Sequence, residues 1–69
     1  MTTMRIDYAQ DATGNYAVWM PTDHEVQDPS LLGARTRYAH ASGRDYIPCP
    51  DREAAATLCA ALRADAEAA

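Results

Sequence analysis

Two histidines and two cysteines are the side chains of this chain best suited to metal binding or nucleophilic chemistry. They are His24, His40, Cys49 and Cys59. Zinc sites usually take paired ligands from short CxxC or HxxxH spacings, and neither spacing occurs here. Cys49 precedes a predicted helix, a position that can activate a thiol, but nothing in the spacing brings a histidine beside it. The sequence therefore predicts neither a metal site nor a Cys–His nucleophile.

Signatures of other enzyme classes are also missing from the sequence. It has no glycine-rich phosphate loop, no GxSxG turn and no paired-carboxylate pattern. A chain of 69 residues has little material with which to enclose a pocket that excludes water. We therefore expect a protein that is not an enzyme and that needs no cofactor.

Charge is distributed unevenly along the chain. Ten acidic residues stand against six arginines, with no lysine, so the formal net charge is −4, which disfavours non-specific binding to nucleic acid. Arg35, Arg37 and Arg44 nevertheless lie close together in sequence. Arg35 and Arg37 would project from one face of a strand, with Arg44 in the turn that follows, and a basic strand face of this kind can enter a DNA groove. The alternative is that they are solvated or pair with aspartates such as Asp45, and DNA binding is therefore our second hypothesis.

A tryptophan and a nearby acidic segment form our first candidate for a partner-binding surface. Its residues are Trp19, Asp23, Glu25 and Asp28. Tryptophan is frequent among the residues that dominate binding energy, and acidic side chains steer a basic protein partner. Trp19 could instead fill the far side of a thin sheet, and the sequence leaves these two positions open.

The elements that position these residues are predicted from hydrophobic periodicity. Alternation of Met4, Ile6 and Tyr8 indicates a first strand, and Gly14 suits a hairpin turn. Pro48 indicates that the last strand lies at an edge of the sheet. The predicted strands cover about 4–10, 15–20, 34–41 and 45–49, with a loop at 21–33 in which Asp28 and Pro29 begin a short helical turn.

The C-terminal segment predicts a helix over about 51–67. Asp51 is a suitable N-cap, and the run that follows is rich in strong helix formers. Its apolar residues recur at spacings of three and four, as in Ala55, Leu58, Leu62 and Ala66. We expect residues 1–69 to form one α+β domain, an antiparallel sheet of three or four strands (two hairpins) with the helix packed across it.

The order of these predicted elements resembles that of one known family. The run "GNYAVWMP … YAHASGRDYIPCPDREAAATLCAAL" is similar in layout to the arm-type DNA-binding domains of phage integrases, over roughly residues 14–62. In that family an aromatic-bearing strand follows a glycine turn, and a C-terminal helix follows a second one. The resemblance implies a small three-stranded sheet with a helix. Those domains are basic, however, whereas this chain is acidic.

Function is therefore expected to rest on surface binding. The arginine-only, alanine-rich composition suggests a GC-rich source, and we expect a small accessory protein of a phage or mobile element that contacts a host or self protein. The small core favours self-association, including a homodimer. No leader peptide or membrane span is visible, so the expected compartment is the cytoplasm.

The cysteines generate a testable prediction. The helical residues between Cys49 and Cys59 separate them by roughly 12 Å, whereas a disulfide needs Cα atoms within about 7 Å. We expect mass spectrometry of the purified, air-exposed protein, alkylated after denaturation, to find two free thiols in each chain. An intramolecular Cys49–Cys59 bond would contradict both this expectation and the predicted start of the helix.

Overall fold

The structure, a computed structural model, describes residues 5–68. Met4, predicted to begin the first strand, lies outside the described residues. The elements follow the order strand, strand, 3-10 turn, strand, strand, helix. They are β1 (Asp7–Gln10), β2 (Tyr16–Pro21), a 3-10 turn (Pro29–Leu32), β3 (Tyr38–Ala39), β4 (Arg44–Cys49) and α1 (Arg52–Ala68).

The four strands form one antiparallel sheet in the order β1-β2-β4-β3. Each hairpin contributes one edge strand and one central strand, and the two hairpins join along β2 and β4. The helix α1 packs on one face of this sheet. This arrangement confirms the predicted α+β fold, an antiparallel sheet with a C-terminal helix.

Alternation along the strands sends one set of side chains toward the helix. Val18 and Met20 of β2 and Ile47 of β4 are fully buried, and so is Leu62 of the helix. The core is completed by Ile6, Cys49, Ala55, Leu58 and Cys59. Alanine at position 55 lets the helix backbone approach the sheet closely, which suits a domain with few large apolar side chains.

The first hairpin turns through a segment organised by one carboxylate. Asp11 Oδ1 accepts hydrogen bonds from the Thr13 amide (2.9 Å), the Thr13 hydroxyl (2.7 Å) and the Asn15 amide (3.0 Å). Gly14 adopts φ +92°, a left-handed conformation that side-chain-bearing residues rarely accept. The turn therefore depends on the Asp11 side chain as well as on the glycine.

The loop after β2 folds back over the helix side of the sheet. Asp28 accepts a hydrogen bond from the Ser30 amide at 3.1 Å and Pro29 follows at the first position, as predicted for a capped turn. Val26, Leu31 and Leu32 pack against the core. The Gln27 amide donates to the Asp65 carboxylate at 2.8 Å, which joins the loop to the end of the helix.

Three strand predictions need correction. The first strand was expected over about 4–10, but β1 begins only at Asp7, and residues 5 and 6 lie outside it. The third strand was expected over 34–41, but only Tyr38–Ala39 pair with β4. The Arg35 amide instead donates to the Leu32 carbonyl at 3.0 Å, so the chain is still turning where the strand was expected to begin. β4 is a central strand and not the predicted edge strand. Pro48 is tolerated there because β3 pairs only with Asp45 and Tyr46 and does not extend alongside Pro48.

The helix begins as its capping residue predicts. The Asp51 carboxylate accepts a hydrogen bond from the Ala54 amide at 2.8 Å, which satisfies one amide of the first turn. Arg63, one turn beyond Cys59, donates to the Ile6 carbonyl at 2.8 Å and to Asp7 at 3.2 Å. These contacts attach the helix to the segment that leads into β1.

Removal of one core side chain should measure how much this small core stabilises the fold. Leu62 is fully buried, so Leu62→Ala should lower the free energy of unfolding by about 2–5 kcal/mol. The matched variant Leu32→Ala removes a half-buried leucine at the rim and should cost about 1–2 kcal/mol. Urea denaturation followed by circular dichroism measures both. Equal losses would contradict the assignment of Leu62 to the centre of the core.

Candidate functional site

The face of the sheet opposite the helix carries a row of side chains that crosses all four strands. Tyr38, Tyr46, Trp19 and Asp7 are direct cross-strand neighbours in β3, β4, β2 and β1. The Trp19 and Tyr46 ring centroids are 5.0 Å apart and the Tyr46 and Tyr38 centroids 5.5 Å. We call Tyr38, Tyr46 and Trp19 the aromatic row.

Two further side chains flank the aromatic row. The His40 ring lies edge-on to Trp19, with centroids 5.1 Å apart and an interplanar angle of 83°. Its Nδ1 accepts a hydrogen bond from the Ser42 amide at 3.1 Å, which holds the ring in place. The Arg44 guanidinium lies 5.8 Å from the Trp19 ring centroid and 3.7 Å from the Asp7 carboxylate. These contacts give the Trp19 side chain a defined position.

A groove of about 390 Å³ runs beside the aromatic row. Its lining follows β2 and β4 from Trp19 and Tyr46 toward the first hairpin turn. The lining residues are Asp11, Asn15, Tyr16, Ala17, Trp19, His40, Tyr46, Pro48 and Cys49. Within the described residues the groove is therefore bordered by aromatic rings and one carboxylate, with no arginine among its lining residues.

The structure separates the two parts of the predicted partner-binding surface. Trp19 is half-buried on the face of the sheet opposite the helix, which we call the open face, so it is not a core residue. Asp23, Glu25 and Asp28 are exposed on the loop whose anchoring contacts are on the helix side. The Asp28 carboxylate also accepts from the Ser30 hydroxyl and amide, so its immediate role is structural.

The three arginines of the DNA-binding hypothesis do not form one face. The Arg37 Nε donates to the Asp45 carboxylate at 2.6 Å, and its Nη2 donates to the carbonyls of Pro21 and Thr22. Arg44 lies beside Trp19 on the open face. Arg35 borders a different groove, of about 410 Å³, between the 3-10 turn and the first turns of the helix.

The buried partner of Arg37 explains why this arginine points inward. Asp45 is 8% exposed and lies on the same side of β4 as Ile47. Its other carboxylate oxygen accepts a hydrogen bond from the Thr22 hydroxyl at 3.0 Å. A buried carboxylate needs such partners to be tolerated. Arg37 is therefore a structural residue that joins the loop, β3 and β4.

The residues considered for metal binding and nucleophilic chemistry are dispersed. Cys49 and Cys59 are unbridged and buried. Burial raises the pKa of the Cys59 thiol; the charge of Arg63 lowers it and that of Asp7 raises it, leaving it above its usual value. In residues 5–68 no three His, Cys, Asp or Glu side chains are grouped so that they could hold a metal ion. His24 contributes to neither groove.

Sequence reasoning missed most of the aromatic row. Tyr38 and Tyr46 were given no functional role, and His40 was considered only for metal binding and nucleophilic chemistry. The two-residue spacing of Tyr38 and His40 was a signal that these two share a face, but no such spacing includes Tyr46. The cross-strand register, which places Tyr46 between Trp19 and Tyr38, required the structure.

Comparison of the chain with known protein families, curated proteins and solved structures finds no match. In the part of the chain that the structure describes, no helix has both the length and the apolar character needed to cross a bilayer. The open face is therefore interpreted from its own residues.

Two arginine variants should distinguish a structural arginine from a surface arginine. Arg37→Gln leaves the buried Asp45 carboxylate without its charged partner, and we expect it to lower the free energy of unfolding by about 2–3 kcal/mol. The matched variant Arg35→Gln changes an exposed side chain and should stay within about 0.5 kcal/mol of the wild type. Thermal and urea unfolding measure both variants. Equal stabilities would contradict the structural role of Arg37.

Proposed function

We propose that this protein is a non-enzymatic binding module that contacts another protein through the open face of its sheet, with Trp19 at the centre. The single observation that supports this function is the aromatic row. Trp and Tyr are the residue types most enriched among those that dominate the energy of protein interfaces. Here both types lie side by side on a face that the helix does not cover.

The rigidity of the aromatic row supports the proposal. Trp19 is held between Tyr46, His40 and Arg44, while Tyr38, at the end of the row, remains 47% exposed. Side chains that are already ordered lose little conformational entropy when a partner binds. Stacking within the row also adds stability to a small sheet, but a purely structural role does not require the groove beside it.

A protein partner fits the charges better than a nucleic acid does. The net charge of −4 repels phosphate at long range. Arg37 is occupied by Asp45, and the charge of Arg44 is shared with Asp7. Aromatic rings on a sheet can also stack nucleotide bases, so single-stranded nucleic acid is the second candidate. In this second candidate the aromatic row would bind the bases, in place of the basic strand face that the sequence suggested.

The exposed carboxylates of the loop after β2 have a different role in this proposal from that of the aromatic row. Asp23 and Glu25 are exposed and do not line the groove beside the aromatic row, so they would speed the approach of a basic partner more than they would hold it. We further propose, from composition, that the source is a phage or mobile element and the compartment the cytoplasm. A host protein or a second copy of the chain is the proposed partner.

Binding should therefore depend on the aromatic row. We expect proteins retained from a bacterial lysate by the immobilised wild type to include one that Trp19→Ala loses and that Thr57→Ala, on the exposed helix surface, retains. With that protein purified, calorimetry should show affinity reduced at least tenfold by Trp19→Ala. Neutralising Asp23 and Glu25 should mainly slow association.

Two results would count against the proposal. One is a purified partner whose affinity is unchanged by Trp19→Ala while circular dichroism shows that the variant is folded. The other is tight binding of a single-stranded oligonucleotide in a mobility-shift assay, weakened by Trp19→Ala and by salt. The second result would establish the nucleic-acid candidate.

A further inference from the structure

The groove beside Trp19 has a composition that selects one kind of ligand. Resting on the proposed function, we infer that it receives an arginine side chain from a basic peptide segment of the partner protein. The aliphatic stem would lie along the rings of Trp19 and Tyr46, and the guanidinium would meet the carboxylate of Asp11. An arginine in this groove would define the chemistry of the partner as basic, which the aromatic row by itself does not define.

The shape of the groove suits a long side chain. It follows β2 from Trp19 to Tyr16, about 10 Å of extended backbone at the usual rise per residue. Ala17 and Pro48, direct neighbours across β2 and β4, lie between its two ends. Apolar surface leading to a single charge matches an arginine, which packs its methylene stem on apolar groups and keeps its charged end at a polar one.

Asp11 supplies the charge at the end of the groove. Within the described residues, the side-chain hydrogen bonds that Asp11 accepts all reach Oδ1, which leaves Oδ2 available. The same donors lower the pKa of the Asp11 carboxyl, the Thr13 hydroxyl most strongly, so the group is ionised at neutral pH. A carboxylate fixed by its own turn would need little reorganisation to accept a guanidinium.

Arginine fits this groove better than lysine does. A guanidinium is planar and weakly hydrated, so it stacks on aromatic rings and leaves water at lower cost than an ammonium. The groove offers both rings and a carboxylate, and Arg44 already places a guanidinium 5.8 Å from the Trp19 ring. Arg44 is not one of the lining residues, and its charge is partly offset by Asp7 at 3.7 Å, a carboxylate that it shares with Arg63.

The net charge of the chain argues for a partner that carries several such residues. At −4 the protein attracts basic segments at long range. A second copy of the chain, the other partner proposed above, would bring the same negative charge and is disfavoured at long range. A basic segment of another protein is therefore the occupant that the charges favour.

Intrinsic fluorescence gives a direct test, because Trp19 is the one tryptophan of the chain and lines the groove. The probe is acetyl-hexaarginine amide, titrated into the wild type at about 150 mM salt, where surface charges more than about 8 Å apart are largely screened. We expect a saturable change in Trp19 emission. Hexacitrulline, which keeps the planar group without its charge, should give none, and hexalysine should bind at least threefold more weakly.

Two variants that remove one negative charge each separate the groove from the general charge of the protein. Asp11→Asn keeps an acceptor oxygen for the turn and should weaken hexaarginine binding about tenfold. Glu67→Gln removes the same charge from an exposed position near the end of the helix and should change the affinity less than twofold. Thermal unfolding confirms that both variants are folded. Should Asp11→Asn unfold, the comparison of hexaarginine with hexalysine on the wild type still decides, because both peptides carry six positive charges and only the guanidinium differs.

Several outcomes would overturn the inference. They are equal weakening by Asp11→Asn and Glu67→Gln, equal binding of hexacitrulline or of hexalysine, or a dimer in sedimentation that Trp19→Ala dissociates. None of these removes the proposed function if a protein partner still requires Trp19. Conversely, hexaarginine binding that depends on Asp11, together with partner binding that ignores Trp19, would leave the groove as a cation site and reject the proposed function.

Discussion

The register between β2 and β4 is the constraint on which the rest of this structure depends. It sets Val18 against Ile47 and Trp19 against Tyr46 as direct neighbours on opposite faces of the sheet. Because side chains alternate along a strand, a slip of one residue would send the apolar set to solvent and the aromatic row into the core. The core and the candidate binding face therefore share one determinant.

Residues outside the ladder reinforce this register. Asp45 is the first buried residue of β4. Its carboxylate accepts hydrogen bonds from Arg37, which precedes β3, and from Thr22, which follows β2. Arg37 also donates to the carbonyls of Pro21 and Thr22. A polar network of this kind is specific in geometry, because a displaced strand would leave a buried carboxylate unpaired.

The small size of the domain links its stability to its open face. One helix covers one face of the sheet, and no second layer covers the other within residues 5–68. Stacking of Trp19, Tyr46 and Tyr38 recovers part of the stabilisation that a second layer would provide. The same rings remain partly accessible, and this accessibility makes the open face the strongest candidate for binding.

Local sequence determined the elements whose signals are themselves local. The helix followed from Asp51 and the spacing of Leu58 and Leu62, and the capped turn followed from Asp28 and Pro29, because caps and periodicity act within a few residues. Cys59 lies next to Leu58 in that stripe and is buried with it.

Tertiary structure decided whatever depended on long-range partners. Arg37 was predicted on a basic strand face, but in the structure it pairs with the buried Asp45. The third strand is shorter than predicted and begins only after Arg37, at Tyr38. Trp19 could have been placed in a core or on a surface, and only the position of the helix resolved this. The aromatic row required the cross-strand register, because alternation assigns each side chain to a face but does not identify its neighbour on the next strand.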